Sequence, residues 1–208
     1  MWMGMVGSGL AGAGLYAARR FYRNWGTTKE ECQTPLPGDE MIGEPATQTT
    51  EGIWIEASAA AVWPWLVQIG QDRGGLYSFE RLENLLGLRY RNADRIHPEW
   101  QRLAVGEQVR LAPRGWLGLR DGLTLPVAQL IEGQSIVLRM LPPHLPWDGV
   151  WSFHAMAYGA DRCRLLVRTR SRTSVPGETL AGEAAGPVLS LLTRGMLQGI
   201  KRRAEQAA

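Results

Sequence analysis

The pattern of apolar and polar residues changes near residue 100. Before that point, apolar residues recur at helical spacing in short segments, and afterwards they form strand-like runs separated by Gly, Pro and Asp. Five strands are predicted there, over 105–112, 123–131, 135–140, 150–157 and 163–169, after an earlier short strand at 53–55. The last two runs are joined by a short loop, which predicts an antiparallel hairpin.

Two short helices are predicted between the first strand and the later ones. Ser58 can cap a helix from Ala59 to about Ile69, and Pro64 within it predicts a kink or break, because proline lacks the backbone donor. The second helix covers 79–86. Its leucines, Leu82, Leu85 and Leu86, form one apolar side.

The chain closes with a long predicted helix, from about Thr179 or Pro187 to Arg203. Its core face carries apolar residues at helical spacing, namely Leu189, Leu192, Met196 and Ile200. Gly195 and Gly199 lie beside this stripe and leave room either for close packing or for a ligand, of which packing is the commoner use.

This order of elements predicts an α+β domain over residues 49–208, in which a curved antiparallel sheet surrounds the C-terminal helix. Alternation in the last strand turns Leu165, Val167 and Thr169 to one face. The opposite face, with Arg164, Arg168 and Arg170, is predicted to be a basic stripe in solvent. A bent sheet that grips one helix leaves a gap, and this gap is the expected pocket.

The N-terminal segment is apolar and lacks charge from residue 2 to residue 18, and Arg19, Arg20 and Arg23 follow. This order predicts an apolar anchor helix over residues 1–25, which crosses the cell membrane once and leaves the domain on the cytoplasmic side. The alternative is a frayed or wrongly started N-terminus that packs against no other part of the chain. Residues 26–48 are polar and rich in Pro and Gly, as in a linker that wraps or leads into the domain.

The composition and charge of the chain limit the kinds of molecule that it is expected to bind. The net charge of +3 comes from dispersed residues, so no nucleic-acid surface is expected. The two cysteines, Cys32 and Cys163, lie far apart and show no metal-ligand spacing, which fits a reducing compartment. No phosphate-binding loop, metal cluster or nucleophile motif is present, so neither a cofactor nor a metal is predicted.

Several segments carry a resemblance to a known superfamily. Residues 56–71 (EASAAAVWPWLVQIGQ) resemble the start of the SRPBCC superfamily, the START/Bet v 1-like helix-grip proteins with polyketide cyclase-like members. The segments 73–88, 92–113 and 163–170, with PLPGDE at 35–40, resemble a bacterial branch that carries an N-terminal apolar segment. The resemblance implies the helix-grip fold and a cavity for a hydrophobic ligand. It implies no reaction, because members include carriers, receptors and cyclases.

Polar residues between Gln68 and Trp100 are expected over one mouth of that cavity. Asp94 and His97 could act as an acid/base pair, with Tyr77 donating to a ligand carbonyl, or they could lie in an exposed turn. Glu83 would be the best single functional candidate if it faced inward, as a perturbed acid. The occupied apolar side of its helix favours an outward, solvated placement.

The predicted function is a membrane-tethered binding protein for a hydrophobic or amphipathic small molecule, such as a lipid, isoprenoid or polyketide-like compound. The alternatives are a cyclase/dehydratase-type enzyme and a ligand-free structural or stress-response module. His154, alone in a strand, is interpreted as a satisfied core or surface residue. The predicted ligand-binding residues are Trp65, Gln68, Tyr77, Asn84, Trp100, Trp151, Phe153, Leu192 and Met196. Oligomeric state and ligand identity stay open.

Overall fold

The structure is a computed structural model that describes residues 22–140, 147–173 and 176–207. Its helices are α1 (Lys29–Gln33), α2 (Ala59–Val67), α3 (Glu80–Leu85) and α4 (Pro176–Ala207), with short 3-10 turns at Asp39–Ile42, Pro98–Trp100 and Trp116–Gly118. Its strands are β1 (Thr47–Ile55), β2 (Gln108–Ala112), β3 (Leu123–Ile131), β4 (Ser135–Met140), β5 (Trp147–Ala157) and β6 (Cys163–Thr173).

The six strands form one curved antiparallel sheet in the order β1-β6-β5-β4-β3-β2. The predicted hairpin is confirmed, since β5 pairs with β6 from Trp147↔Thr173 to Ala157↔Cys163. β3 and β4 have the predicted bounds, whereas β1, β5 and β6 run longer and β2 is shorter. The α+β helix-grip architecture predicted from the sequence is therefore present in the described residues.

Helix α2 begins as predicted, because the Ser58 hydroxyl accepts a hydrogen bond from the Ala61 amide at 3.2 Å. The predicted break at Pro64 is wrong. The helix continues to Val67, and the Gln68 amide still donates to the Pro64 carbonyl at 3.3 Å. Pro64 thus removes only its own donor and leaves the following turn intact.

The core lies between the inner face of the sheet and helices α2 and α4. Phe153, Leu165 and Val167 from the sheet meet Met196 and Ile200 of α4 in one buried cluster. Burying these side chains supplies most of the driving force for the fold, at about 1.5–3 kcal/mol for each large apolar side chain. Helix α4 is longer at both ends than its predicted span.

Gly195 and Gly199 of α4 serve close packing rather than ligand space. A Cβ at Gly199 would collide with the carbonyl oxygen of Tyr77, and one at Gly195 would lie 2.7 Å from Cε2 of Phe79. The neighbour is the loop before α3, not the sheet. The absent side chains therefore let this loop sit directly on α4.

The predicted basic stripe of β6 is not in solvent. Arg164 and Arg168 are buried beneath residues 26–43, which we name the outer strap. Arg168 donates to Asp39 Oδ2 at 2.5 Å, and Arg164 donates to both carboxylate oxygens of Glu31, at 2.6 and 2.8 Å. The strap also places Ile42 on Val137 and Val150. Sequence alternation identified the face correctly, but the face is covered by chain instead of water.

The apolar side predicted for α3 is not a core face. Leu82, Leu85 and Leu86 are all exposed, and the buried position of this helix is Glu83. The predicted anchor helix lies almost wholly at residues 1–21, outside the described residues. Within the described parts of the chain, no helix combines the length and apolar character that a membrane crossing requires.

Candidate functional site

A cavity of about 290 Å³ opens between α3, the turn Trp116–Gly118, the sheet and α4. Its size is at the lower end of the range of about 300–1,000 Å³ that is typical of small-molecule pockets. Apolar side chains dominate its wall. The described lining residues are Leu76, Ser78, Glu83, Leu88, Tyr90, Leu111, Ala112, Trp116, Leu123, Leu125, Met140, Trp151, Thr169, Leu189, Leu192, Thr193 and Met196.

Hydrogen bonds around Asn92 hold α3 over this cavity. The Asn92 Oδ1 atom accepts from the Tyr77 amide at 2.7 Å, and Glu80 accepts from the Asn92 amide at 2.8 Å. Tyr77 has a φ of 58°, in the left-handed region that costs free energy for a residue with a side chain. The turn at Tyr77 directs the chain across α4, where the Ser78 hydroxyl donates to the Leu192 carbonyl at 3.0 Å.

Glu83 is the acid of this cavity. Its side chain faces inward, contrary to the outward placement that the sequence favoured, and the residue is 1% exposed. Burial, and secondly the charge of Glu80, raise the pKa of the Glu83 carboxyl to about 7, although a side-chain hydrogen bond with Ser78 opposes this rise. No described residue makes a hydrogen bond to Glu83 Oε2. A buried carboxyl oxygen without a hydrogen-bond partner is uncommon in native structures and requires an explanation.

Several hydroxyls of the wall donate to backbone carbonyls. The hydroxyl of Ser78, which also lies within hydrogen-bond reach of Glu83, donates to Leu192, that of Tyr90 to Leu111 and that of Thr193 to Leu189. The indole N–H of Trp116 donates to the Leu86 carbonyl at 2.9 Å. Since each group has one hydrogen, these four lining residues offer a ligand no further donor.

A second buried acid under α4, Glu51 of β1, has partners. It accepts a hydrogen bond from the Ser190 hydroxyl, and its Oε1 lies 3.8 Å from Nε of Arg194. Burial raises the pKa of Glu51 to about 7, and Ser190 and Arg194 oppose that rise. Both carboxyls are buried, but their hydrogen bonds differ, because Glu83 Oε2 has no partner among the described residues.

The candidates Tyr77, Asp94 and His97 do not meet in this cavity. The Tyr77 hydroxyl is buried in the core and donates to the Trp65 carbonyl at 3.0 Å. Burial raises the pKa of this phenol. Asp94 is exposed, and the His97 ring pairs with Glu99 at 3.1 Å and stacks on Trp100. None of the three belongs to the described lining.

Of the predicted ligand-binding residues, Trp151, Leu192 and Met196 line the cavity. Gln68 instead ties down a loop, by donating to Arg95 and accepting from the His97 amide. Asn84 bonds the Tyr90 backbone on both sides. The others lie in packing positions: Trp65 and Tyr77 edge to face, Trp100 against His97, and Phe153 against Trp151.

The lining also includes polar residues that were not predicted as ligand-binding residues, namely Ser78, Tyr90, Trp116, Thr169 and Thr193. Two of them had a signal in the sequence. Thr193 lies four residues after Leu189 and three before Met196, on the same side of α4. Thr169 alternates with Val167 on the inner face of β6. Tyr90 and Trp116 lie in connections, where no periodicity exists to place them.

No protein-family model matches the chain, and no curated protein sequence matches it. Among solved structures, a Thermobifida fusca protein solved by NMR has a TM-score of 0.50 at 13% identity, covering 76% of this chain and 93% of that one. This likeness and the sheet topology show the helix-grip fold that the sequence predicted.

Two other structures show weaker likeness. A START superfamily protein from Mycobacterium smegmatis has a TM-score of 0.42 at 16% identity, over 77% of this chain and 99% of that one. Norcoclaurine synthase from Thalictrum flavum, in complex with dopamine and hydroxybenzaldehyde, has a TM-score of 0.47 at 14% identity, over 84% and 95%. Neither carries an argument about the ligand or chemistry of this chain.

Proposed function

We propose that this protein binds a small apolar or amphipathic molecule in the cavity under α4. One observation carries the proposal: a cavity of about 290 Å³, walled mainly by Leu, Met and Trp, stays open beside the buried apolar core. Protein interiors rarely keep such a space without a use, because each void forfeits packing energy. The apolar wall supplies affinity for an apolar body.

The alternatives from the sequence have less support. An acid/base enzyme built on Tyr77, Asp94 and His97 needs these groups at one cavity, and they lie in the core, in solvent and against Glu99 respectively. A ligand-free module would be favoured by a core without a cavity. Binding is therefore the function put forward.

A matched pair of cavity variants tests the proposal. Leu192 lines the cavity, whereas its neighbour Leu191 is exposed on the other side of α4. The probe is N-phenyl-1-naphthylamine, a neutral apolar fluorophore whose emission rises in an apolar site. We expect Leu192→Trp to weaken probe binding at least tenfold by filling the space, and Leu191→Trp to change it less than twofold. Equal binding by the two variants, or no binding by the natural chain, would contradict the proposal.

We also propose that the protein is tethered to a membrane by its N-terminal segment, with the cavity mouth near the lipid. Residues around the mouth support this placement, because Leu85 is 82% exposed, Leu117 is 80% exposed and Leu189 is also exposed. Contiguous exposed apolar side chains are typical of surfaces that meet a membrane or another protein. Tyr22, near the end of the predicted anchor, lies close to Gly186 on the helix that carries Leu189.

Fractionation of cells that express the full chain tests the tether. The full chain should remain with the membranes after an alkaline carbonate wash, and a chain without residues 2–18 should be released. Release of both chains by the wash would show that the segment does not anchor the protein.

A further inference from the structure

We propose that the cavity recognises a ligand with a protonated amine, held by the carboxylate of Glu83 while its apolar body fills the space beside Trp151 and Met196. The inference rests on the proposed binding function and names the chemical class of its ligand. It rests on two observations. The Glu83 carboxylate has no countercharge among the described lining residues, and neighbouring hydroxyls donate to backbone carbonyls.

The charge of the wall favours a cation. None of the described lining residues is Lys, Arg or His, so Glu83 has no positive partner within the wall. The charge of a second acid, Glu80, further disfavours the ionised form. An ammonium group on a ligand would supply the missing countercharge, whereas a carboxylate or phosphate would be repelled.

The hydrogen bonds of the wall favour a donor. The hydroxyls of Ser78, Tyr90 and Thr193 donate to backbone carbonyls, so the remaining hydrogen-bond capacity of each oxygen is as an acceptor. Glu83 Oε2 likewise has an open lone pair. An ammonium group carries up to three hydrogens and no acceptor, which complements a wall that has acceptors to offer next to its one acid.

The structural alternative for Glu83 is a carboxyl with a purely internal role. Such a role requires partners, as Glu51 has in Ser190 and Arg194. Glu83 lies on the same exposed helix as Leu85 and would reach water by facing outward. An inward placement that leaves Oε2 without a hydrogen bond is therefore better explained if a ligand supplies the missing donor.

Three probes of one length test the inference: octylamine, octan-1-ol and octanoate, each competing with N-phenyl-1-naphthylamine at pH 8. We expect octylamine to bind about tenfold or more tightly than octan-1-ol, since a charge-assisted hydrogen bond is stronger than a neutral one, and octanoate to bind most weakly. Glu83→Gln should lower octylamine affinity to that of octan-1-ol. Glu132→Gln, in the β3–β4 turn, is the control and should keep the preference for the amine.

The two proposals fail in different ways in this experiment. If octan-1-ol binds but octylamine binds no better, the cavity takes apolar ligands and the amine inference is wrong. If Glu83→Gln keeps the full preference for octylamine, the amine is recognised elsewhere and the inference is again wrong. If none of the three probes competes, the binding function itself fails. Retained octan-1-ol binding by Glu83→Gln shows that the variant is folded.

Discussion

The two faces of the sheet each bury a charge and treat it in opposite ways. On the outer face, Arg168 is 1% exposed and donates to Asp39, Thr50 and three carbonyls of the outer strap. On the inner side, Glu83 is equally buried, and its Oε2 has no partner among the described residues. Burial alone therefore does not distinguish the two groups. Their hydrogen bonds do, because Arg168 has several acceptors whereas one carboxyl oxygen of Glu83 has no described partner.

This comparison predicts that removing the two charges has effects of opposite sign on stability. Arg168 binds the strap to the sheet, so its loss leaves Asp39 and several carbonyls without a donor. Glu83 Oε2 makes no hydrogen bond with the described residues in the absence of a ligand, so the loss of this side chain should not lower the free energy of unfolding. Unfolding in urea, followed by tryptophan fluorescence, measures both.

The largest effect is expected for Arg168→Met. Breaking a buried charged network from one side costs about 3–5 kcal/mol of the free energy of unfolding, because the partners stay buried and unpaired. Arg172→Met is the matched control, since Arg172 is exposed on the same strand and face, and it should change stability by less than about 0.5 kcal/mol. Similar losses in the two variants would mean that the strap contributes little.

A gain is expected for Glu83→Met, by about 1–2 kcal/mol at pH 8, because an unsatisfied buried group is replaced by an apolar one. The gain should depend on pH. In the folded chain the pKa of Glu83 is raised to about 7 from 4.5, so the unfolded chain ionises first as pH rises between these values. The natural chain thus loses stability across that window, and the gain from the variant should vanish below pH 4.5. A destabilised variant at pH 8 would overturn the comparison.

The smallest effect is expected for His154, on the outer face with Arg168. Its ring nitrogens lie 2.9 Å from the hydroxyl oxygens of Ser135 and Ser152, and burial, with Arg168 second, lowers its pKa to about 4. As pH falls from 6.5 toward 4, the unfolded chain binds the proton first, so stability falls. The loss at pH 5.5 should be about 1 kcal/mol.

The slope of stability against pH measures this contribution. His154→Gln should flatten the slope between pH 6.5 and 4, while His97→Gln, at the surface beside Glu99, should retain it. An unchanged slope in the His154 variant would show that the ring is not held neutral by its surroundings.

The sequence predicted the sheet well because alternation along a strand is a local signal. The runs 123–131 and 135–140 have the predicted bounds, and the β5–β6 hairpin follows from its short loop. Alternation also separated Arg168 from Val167 correctly. It could not reveal that residues 26–43, which have no period, return to cover the arginines.

The candidate site was less accessible to sequence reasoning. Leu192, Met196 and Trp151 were predictable from the spacing in α4 and β5. Glu83 was placed outward because three leucines seemed to define the buried side of α3, and those leucines are exposed. A helix of six residues has too few turns for its apolar side to decide its orientation, so the contacts of the loop with α4 decide instead.

The outer strap has a practical consequence for where this domain begins. A fragment that started at residue 49 would contain every strand residue that lines the cavity, yet it would strip Arg164 and Arg168 of most of their acceptors. It would also uncover Val137 and Val150, which Ile42 shields. Such a fragment would expose unpaired arginines beside an apolar surface patch. We expect it to aggregate during expression, because exposed apolar patches promote association. The smallest unit suited to purification therefore includes the outer strap and extends back at least to Gly26.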